Sequence, residues 1–349
     1  MCEQSPATSL TPVVYTLDVG AGTFRRHDPA QPVVFWDDAA VTRGEAVFES
    51  VLVRAGRAAN LQRHLDRLQR SAQRLELPVP ERELWARATA AAVSDWQQRL
   101  AETGELAGAL ADASGVDAKC TWTYSRGRQS VGAAGMQPTA WLVIAPVTDA
   151  VLRQRREGVR AQLVPRGWTT TVGAKTVNYA ATMSALRQAR GFDDVIFVEP
   201  ASGSSESAAR VLEGATSTVV LVLRDDSGKK SGRDTDGGRT GGPAGVGKRR
   251  LVTPAGDVLA GTTVDALFEY AAARGWRCEN RPVTAGELYQ AESVWLISSV
   301  RIAARVTSLG GLHATGGDAD VIESPAPVEL PAPENHAEIR ALIEQALSL

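Results

Sequence analysis

The chain has 349 residues, of which 44% are hydrophobic and 22% charged, as expected for a soluble globular protein with room for two domains. Its formal net charge of −2 indicates neither a nucleic-acid-binding surface nor a strongly charged partner. Cys2, Cys120 and Cys278 show no spacing typical of a metal site or a disulfide framework. No signal peptide and no apolar run of membrane-spanning length is visible. We therefore expect a cytoplasmic protein without metal or membrane partners.

Hydrophobic periodicity predicts the elements of the first part of the chain. Strands are expected at 13–17, 33–36, 46–53, 120–125 and 141–145. Helices are expected at 61–75, with Asn60 as a candidate N-cap, and at 82–102. The segment 146–156 looks like a crossover, which divides the chain into domains at 1–147 and 148–349.

The second part of the chain shows the same mixture of elements. Strands are expected at 159–164, 194–198, 217–222 and 294–297, and helices at 178–190, 264–274 and 336–349. Gly191 follows one of these helices, as is common after a helix C-terminus.

Residues 225–250 differ from the rest of the chain. They are rich in glycine, carry charges of both signs and contain almost no apolar residue. Such a segment buries too little surface to offset the entropy of ordering it, so we predict a disordered insertion between two strands. The alternative is a nucleic-acid-binding arm built on Lys248, Arg249 and Arg250, but the aspartates of the segment offset much of that charge.

Lysine is rare in this chain, with five residues against thirty-three arginines, and three of the five fall in the insertion. Lys175 lies in GAKTVNY at 173–179, between a strand-like and a helix-like run. A lone primary amine at such a junction is suited to hold a carbonyl cofactor as a Schiff base. A solvated lysine is the alternative interpretation.

Three further features become coherent if the cofactor is pyridoxal phosphate, which needs an amine, a partner for its ring nitrogen and a phosphate cup. Glu213, at a predicted turn before an apolar strand, offers a carboxylate that would keep a pyridine nitrogen protonated. Thr262 and Thr263 precede a predicted helix, whose first amides attract anions, and Arg67 offers paired hydrogen bonds to a phosphate. Taken singly, each has a plainer interpretation: an exposed acid, a helix cap and a surface arginine.

Together with their neighbours, these residues resemble the fold-type IV pyridoxal-phosphate enzymes. That family includes branched-chain aminotransferases, D-amino-acid aminotransferases and 4-amino-4-deoxychorismate lyases. The matching segments occur in family order: TRGEAVFE at 42–49, HLDRLQRSA at 64–72, KTVNYA at 175–180, LEGATSTV at 212–219, LAGTT at 259–263 and WLISSVR at 295–301.

The resemblance implies a role for each matching position in binding the cofactor. Lys175 would form the internal aldimine and move protons, and Glu213 would contact the pyridine nitrogen. The remaining cofactor-binding positions would be Arg67, Tyr179, Thr262, Thr263 and Ser299.

The substrate side of the predicted site is less specific. Phe48 falls on a pocket position that is tyrosine in D-amino-acid aminotransferases, and Val300 falls where relatives use backbone amides. Arg126 or Arg128 would bind a substrate carboxylate by a paired contact, with a surface arginine as an equal alternative.

The resemblance also implies a mixed α/β (α+β) fold of two domains, the smaller one N-terminal, with the cofactor between them, in a homodimer. The overall likeness is greatest to actinobacterial-type aminodeoxychorismate lyases, which convert a small-molecule substrate into pyruvate and the folate precursor 4-aminobenzoate. Two alternatives remain open. One is an aminotransferase for D-amino or branched-chain amino acids, and the other is a cofactor-free scaffold, against which the pairing of Lys175 with Glu213 argues.

Overall fold

The structure is a computed structural model that describes residues 10–103, 116–132, 137–167, 173–200, 205–224, 249–312 and 326–347. The predicted insertion at 225–250 lies outside the described residues, except for its last two residues. Elements of the first part are β1 (Val13–Asp18), β2 (Thr23–His27), α1 (Ala39–Thr42), β3 (Ala46–Arg54), β4 (Arg57–Ala58), α2 (Leu61–Arg74), α3 (Arg82–Glu102), β5 (Ala118–Ser125) and β6 (Thr139–Pro146).

The second part contains more elements and a larger sheet. Its elements are α4 (Asp149–Glu157), β7 (Val159–Pro165), α5 (Ala180–Gln188), β8 (Asp194–Glu199), a 3₁₀ turn (Glu206–Ala208), β9 (Arg210–Gly214), β10 (Thr218–Arg224), β11 (Arg249–Pro254), α6 (Thr262–Ala272), β12 (Arg277–Arg281), α7 (Ala285–Gln290), β13 (Ser293–Ser298), β14 (Ile302–Gly310), β15 (Val328–Glu329) and α8 (His336–Gln345).

The first sheet is antiparallel, with strand order β2-β1-β6-β5-β3-β4. Side chains alternate across a strand, and β3 uses this alternation to face two environments. Val47, Val51 and Val53 pack into a core with α2 and α3, whereas Phe48 and Ser50 point to the opposite face. That opposite face forms one wall of the cavity described below.

The second sheet is mixed, with order β12-β11-β10-β13-β14-β7-β8-β9 and β15 added beside β14. The pairs β11–β12, β14–β7 and β7–β8 are parallel, and the remaining pairs are antiparallel. Apolar side chains cover both of its faces. One of these two cores also takes in Leu52 and Ala59 from the first part, so the two parts share buried contacts.

The structure corrects two local predictions and contains further elements that were not predicted. The strand expected at 33–36 is wrong, because this stretch is irregular and Phe35 and Trp36 are 57% and 77% exposed. Aromatic and β-branched residues favour strands where they pack against a neighbouring surface, and the two aromatic residues of this stretch remain largely exposed. Asn60 does occupy the N-cap of α2, but in a left-handed conformation and without a side-chain cap bond. The elements that were not predicted are β2, β4, β9, β11, β12, β14, β15, α1, α4 and α7.

Two site segments also differ from expectation. Helix α6 begins at Thr262, with Gly261 as its extended N-cap, so the two threonines form its first turn and do not precede it. Glu213, expected in a turn, lies near the end of strand β9. Both shifts are small, since helix and strand boundaries depend on cap geometry that periodicity does not report.

The predicted domain boundary falls in the connection between β6 and α4, and the division into domains stays a prediction. Among the described residues, no helix is both long and apolar enough to cross a membrane.

Candidate active site

A cavity of about 750 Å³ lies between the first sheet, the Lys175 segment and the ends of β9 and β13. This volume is within the range of small-molecule sites. It brings together most of the predicted site residues. Those that line it are Phe48, Arg67, Lys175, Tyr179, Glu213, Thr262, Thr263, Ser299 and Val300.

Lys175 is held by its backbone on two sides. Its carbonyl accepts a hydrogen bond of 2.9 Å from the amide of Phe48, and its own amide donates to Ser71 Oγ at 3.1 Å. Thr176 forms a β-bridge with Val47, so the segment runs as a short extension of the first sheet. These contacts fix the point from which the lysine side chain enters the cavity.

The amine of Lys175 is in an environment that favours its neutral form. Nζ lies 4.4 Å from the centroid of the Phe48 ring. Burial, followed by the positive charge of Arg67, lowers the pKa of Lys175 to about 8, although Glu49 and Glu213 oppose the shift. A neutral amine is a nucleophile and a base, which a protonated amine is not.

Glu213 reaches the cavity from β9. Its Oε2 accepts a hydrogen bond of 3.2 Å from the amide of Leu259, and Oε1 lies 3.7 Å from a guanidinium nitrogen of Arg166. Burial raises the pKa of Glu213, against the lowering effects of the Leu259 amide, Arg166 and Lys175. A cationic ring nitrogen beside this carboxyl would favour its ionised form in the same way.

Two aromatic side chains narrow the cavity beside Lys175. The rings of Phe48 and Tyr179 meet edge to face, with centroids 5.6 Å apart. Burial, with a smaller effect of Glu213, raises the pKa of Tyr179 to about 12, so its hydroxyl remains a hydrogen-bond donor throughout the neutral range.

Another part of the cavity wall is built from hydroxyl groups. Thr262 and Thr263 are buried in the first turn of α6, where backbone amides have no partner within the helix. Ser299, in the turn after β13, places its Oγ 3.1 Å from that of Thr263 and 3.5 Å from that of Thr262. Three hydroxyls beside a helix N-terminus are a suitable cup for a phosphate group.

Arg67 adds a guanidinium to the cavity wall. Its Nε and one terminal nitrogen each donate to Glu49 at 2.7 Å, and the other terminal nitrogen donates to the carbonyl of Ala260 at 3.0 Å. A guanidinium has five N–H donors. Three are used by these bonds, so two remain for a phosphate in the cavity.

Glu49 and His64 were part of the matching segments but had no predicted role. Both are fully buried, and His64 Nδ1 lies 2.7 Å from Glu49 while its Nε2 lies 3.2 Å from Ser299 Oγ. Burial alone would raise the pKa of Glu49, but Arg67 and His64 outweigh it and lower the pKa to about 2. The carboxylate therefore stays ionised and orients both the guanidinium and, through His64, the Ser299 hydroxyl.

A sequence signal for Glu49 existed. It occupies the core-facing register of β3, shared with Val47 and Val51. A carboxylate in such a register must have a buried partner, because an unpaired buried charge is very costly.

Arg126 and Arg128 do not line the cavity. Arg126 pairs with Glu45 at 3.1 Å and donates to backbone carbonyls, and Arg128 pairs with Asp37 at 3.0 Å and lies over the ring of Phe35. Their predicted contact with a substrate carboxylate stays a prediction that the cavity does not support.

The residues present fit pyridoxal phosphate. A nucleophilic amine, a carboxyl group and a cup of hydroxyl and guanidinium donors surround one space, and they are chemically the three partners that the cofactor needs. Within the described residues, no cluster of side chains suits a metal ion.

Comparison with known proteins agrees with this assignment. The model of the family described as "Amino-transferase class IV" matches residues 46–309. A relative from Mycobacterium tuberculosis (strain ATCC 25618 / H37Rv), named "Bifunctional aminodeoxychorismate lyase / D-amino acid transaminase", is 36% identical over 296 residues. That match covers 81% of this chain and 88% of the relative.

Solved structures show the same fold. A hypothetical aminotransferase from Mycobacterium tuberculosis in its PLP-bound form superposes with a TM-score of 0.73 at 30% identity, covering 96% of this chain and 98% of that one. A fold IV transaminase from Curtobacterium pusillum gives 0.68 at 29% identity, covering 95% and 99%. The predicted fold class and dependence on pyridoxal phosphate are thereby confirmed, and the chain belongs to the class IV amino-transferase family.

Proposed function

We propose that the protein is a 4-amino-4-deoxychorismate lyase that uses pyridoxal phosphate. The observation that carries this proposal is that Lys175, Glu213 and the hydroxyl groups of Thr262, Thr263 and Ser299 line one cavity. Burial in this cavity lowers the pKa of the Lys175 amine to about 8. The choice of the lyase reaction is supported by the 36% identical relative, whose name includes that activity.

The chain's own residues have distinct tasks in this reaction. Arg67, Thr262, Thr263 and Ser299 would hold the phosphate, and Glu213 would keep the ring nitrogen protonated. When bound, the cofactor supplies an electron-withdrawing ring that stabilises negative charge on the substrate carbon bearing the amine.

Lys175 is the group that moves the proton. Its neutral amine removes the proton from the amine-bearing carbon of the substrate, and the bond between the ring and the enolpyruvyl oxygen then breaks. The enolpyruvate gains a proton and leaves as pyruvate, while the ring becomes aromatic as 4-aminobenzoate. Phe48 and Tyr179 narrow the cavity around the amine and so limit access of water to it.

Transamination of D-amino acids is the second candidate, because the same relative is named for both activities. Transamination would use the same Lys175 amine, which would return the proton to a carbon of the cofactor. The predicted homodimer and cytoplasmic location stay predictions.

Incubation with 4-amino-4-deoxychorismate and no keto acid distinguishes the two reactions. We expect release of pyruvate and 4-aminobenzoate in equal amounts, and loss of that release in Lys175→Ala while the fold persists. Borohydride reduction should attach the cofactor covalently to Lys175. Strict dependence on an added keto acid would instead identify an aminotransferase, and attachment at Lys119 would contradict the role of Lys175.

A further inference from the structure

The described residues contain two lysines, Lys119 and Lys175, and both line the same cavity. The other cations of the cavity wall are paired: Arg67 with Glu49, Arg166 with Glu213 and Arg301 with Asp194. Within the described ranges Lys119 has no carboxylate at ion-pair distance, and its side chain is exposed to the cavity. The cavity therefore has a second amine whose charge is not offset.

The register of the first sheet separates the two amines. Lys119 of β5 lies opposite Leu52 of β3. Phe48 is four residues earlier on β3, and the Lys175 amine lies over its ring. Alternate residues of a strand share a face at ~3.3 Å per residue, so Lys119 lies about 13 Å from Phe48 along the sheet. Ser50 lies between them on the same face and also lines the cavity.

We propose that Lys119 binds the carboxylate of the substrate that lies far from the reacting amine, with Ser50 beside it as a hydroxyl donor. The identity of this acid rests on the proposed function, since the ring carboxylate of 4-amino-4-deoxychorismate is para to its amine. A rigid ring would keep the two groups apart, and a ring that lies along this wall would place its carboxylate on the side of Lys119. An α-amino acid has its carboxylate one carbon from the amine and does not extend to Lys119.

By binding this carboxylate, Lys119 acts as a specificity residue that favours ring acids over α-amino acids. An exposed ion pair contributes up to about 1 kcal/mol, which corresponds to roughly fivefold in affinity. The effect concerns the binding of the acid and not the proton transfer by Lys175.

The test is calorimetric titration of the cofactor-loaded protein with 4-aminobenzoate and with its neutral analogue, 4-aminobenzamide. Wild type should bind the carboxylate about fivefold more tightly than the amide, and Lys119→Met should lose this preference while Lys119→Arg keeps it. Arg25→Met is the matched control, because it removes one exposed positive charge from strand β2, outside the cavity wall.

An unchanged preference in Lys119→Met would overturn the proposal, as would an equal loss in Arg25→Met, which would indicate a general effect of net charge. The pyruvate assay is independent of this titration. If the preference depends on Lys119 but no pyruvate is released, the carboxylate site stands and the lyase assignment fails. If pyruvate is released and Lys119→Met keeps the preference for the carboxylate, the lyase assignment stands and the carboxylate site fails.

Discussion

At the scale of single residues, the main consequence concerns the pH at which Lys175 reacts. Its pKa is lowered from 10.5 to about 8 by burial first and by Arg67 second. Because the neutral form attacks the aldehyde, the cofactor should be captured faster as the pH rises through about 8. We expect the capture rate of the cofactor-free protein, followed by absorbance between about pH 6 and 10, to level off above that midpoint.

Free lysine side chains provide the reference for this measurement. Nα-acetyl-lysine, which lacks the protein environment, should react with pyridoxal phosphate with a midpoint close to the ordinary lysine pKa of about 10.4. A protein midpoint near that reference value would show that the amine is not desolvated as the structure indicates.

At the scale of elements, α2 presents a polar stripe to the site. His64, Arg67 and Ser71 follow one another at spacings of three and four residues, so they share one face of the helix. Leu65 and Leu68 lie on the face that packs into the core of the first part. One helix thereby connects Ser299, Glu49 and the Lys175 backbone.

Ser71→Ala tests this connection. The change removes the acceptor of the Lys175 amide, which lies at 3.1 Å, and should cost about 1 kcal/mol. We expect the amide of Lys175 to exchange its hydrogen roughly fivefold faster, measured by mass spectrometry on the peptide that spans 173–177. The matched control is Ser94→Ala, at an exposed position of α3, where the exchange of that peptide should not change. Equal exchange in both variants would mean that α2 does not anchor the segment.

Several elements were predictable because their periodicity is a local property, whereas others, such as the nine-residue strand β14, were not predicted. The strand at 46–53 and the helix at 82–102 agree with β3 and α3, because an apolar, β-branched run marks the first and apolar residues at helical spacing mark the second. The prediction failed at 33–36, where Phe35 and Trp36 are largely exposed. Strand propensity reports how a residue packs on neighbours, and the neighbours of 33–36 are not in its local sequence.

At the scale of the whole molecule, the site depends on contacts between residues far apart in the chain. The family resemblance predicted the set around Lys175, but the cavity excludes Arg126 and Arg128 and includes Lys119. The packing of the two sheets decides which side chains near the end of a strand face the cavity. Residue type and spacing within one segment do not contain that information.

The proposed phosphate cup takes residues from both parts of the molecule, and this gives a prediction about stability. Arg67 comes from α2, whereas Thr263 and Ser299 come from α6 and the turn after β13. A ligand that binds only the folded state stabilises it by about 4 kcal/mol at 1,000 times its dissociation constant. We expect pyridoxal phosphate to raise the free energy of unfolding in urea by that amount, with tryptophan fluorescence and circular dichroism showing one shared transition.

Pyridoxal, which lacks the phosphate, should give a much smaller increase at the same concentration, because it leaves the cup unfilled. An equal increase with both compounds would show that the cup does not bind the phosphate, and separate transitions for the two probes would show that it does not couple the two parts.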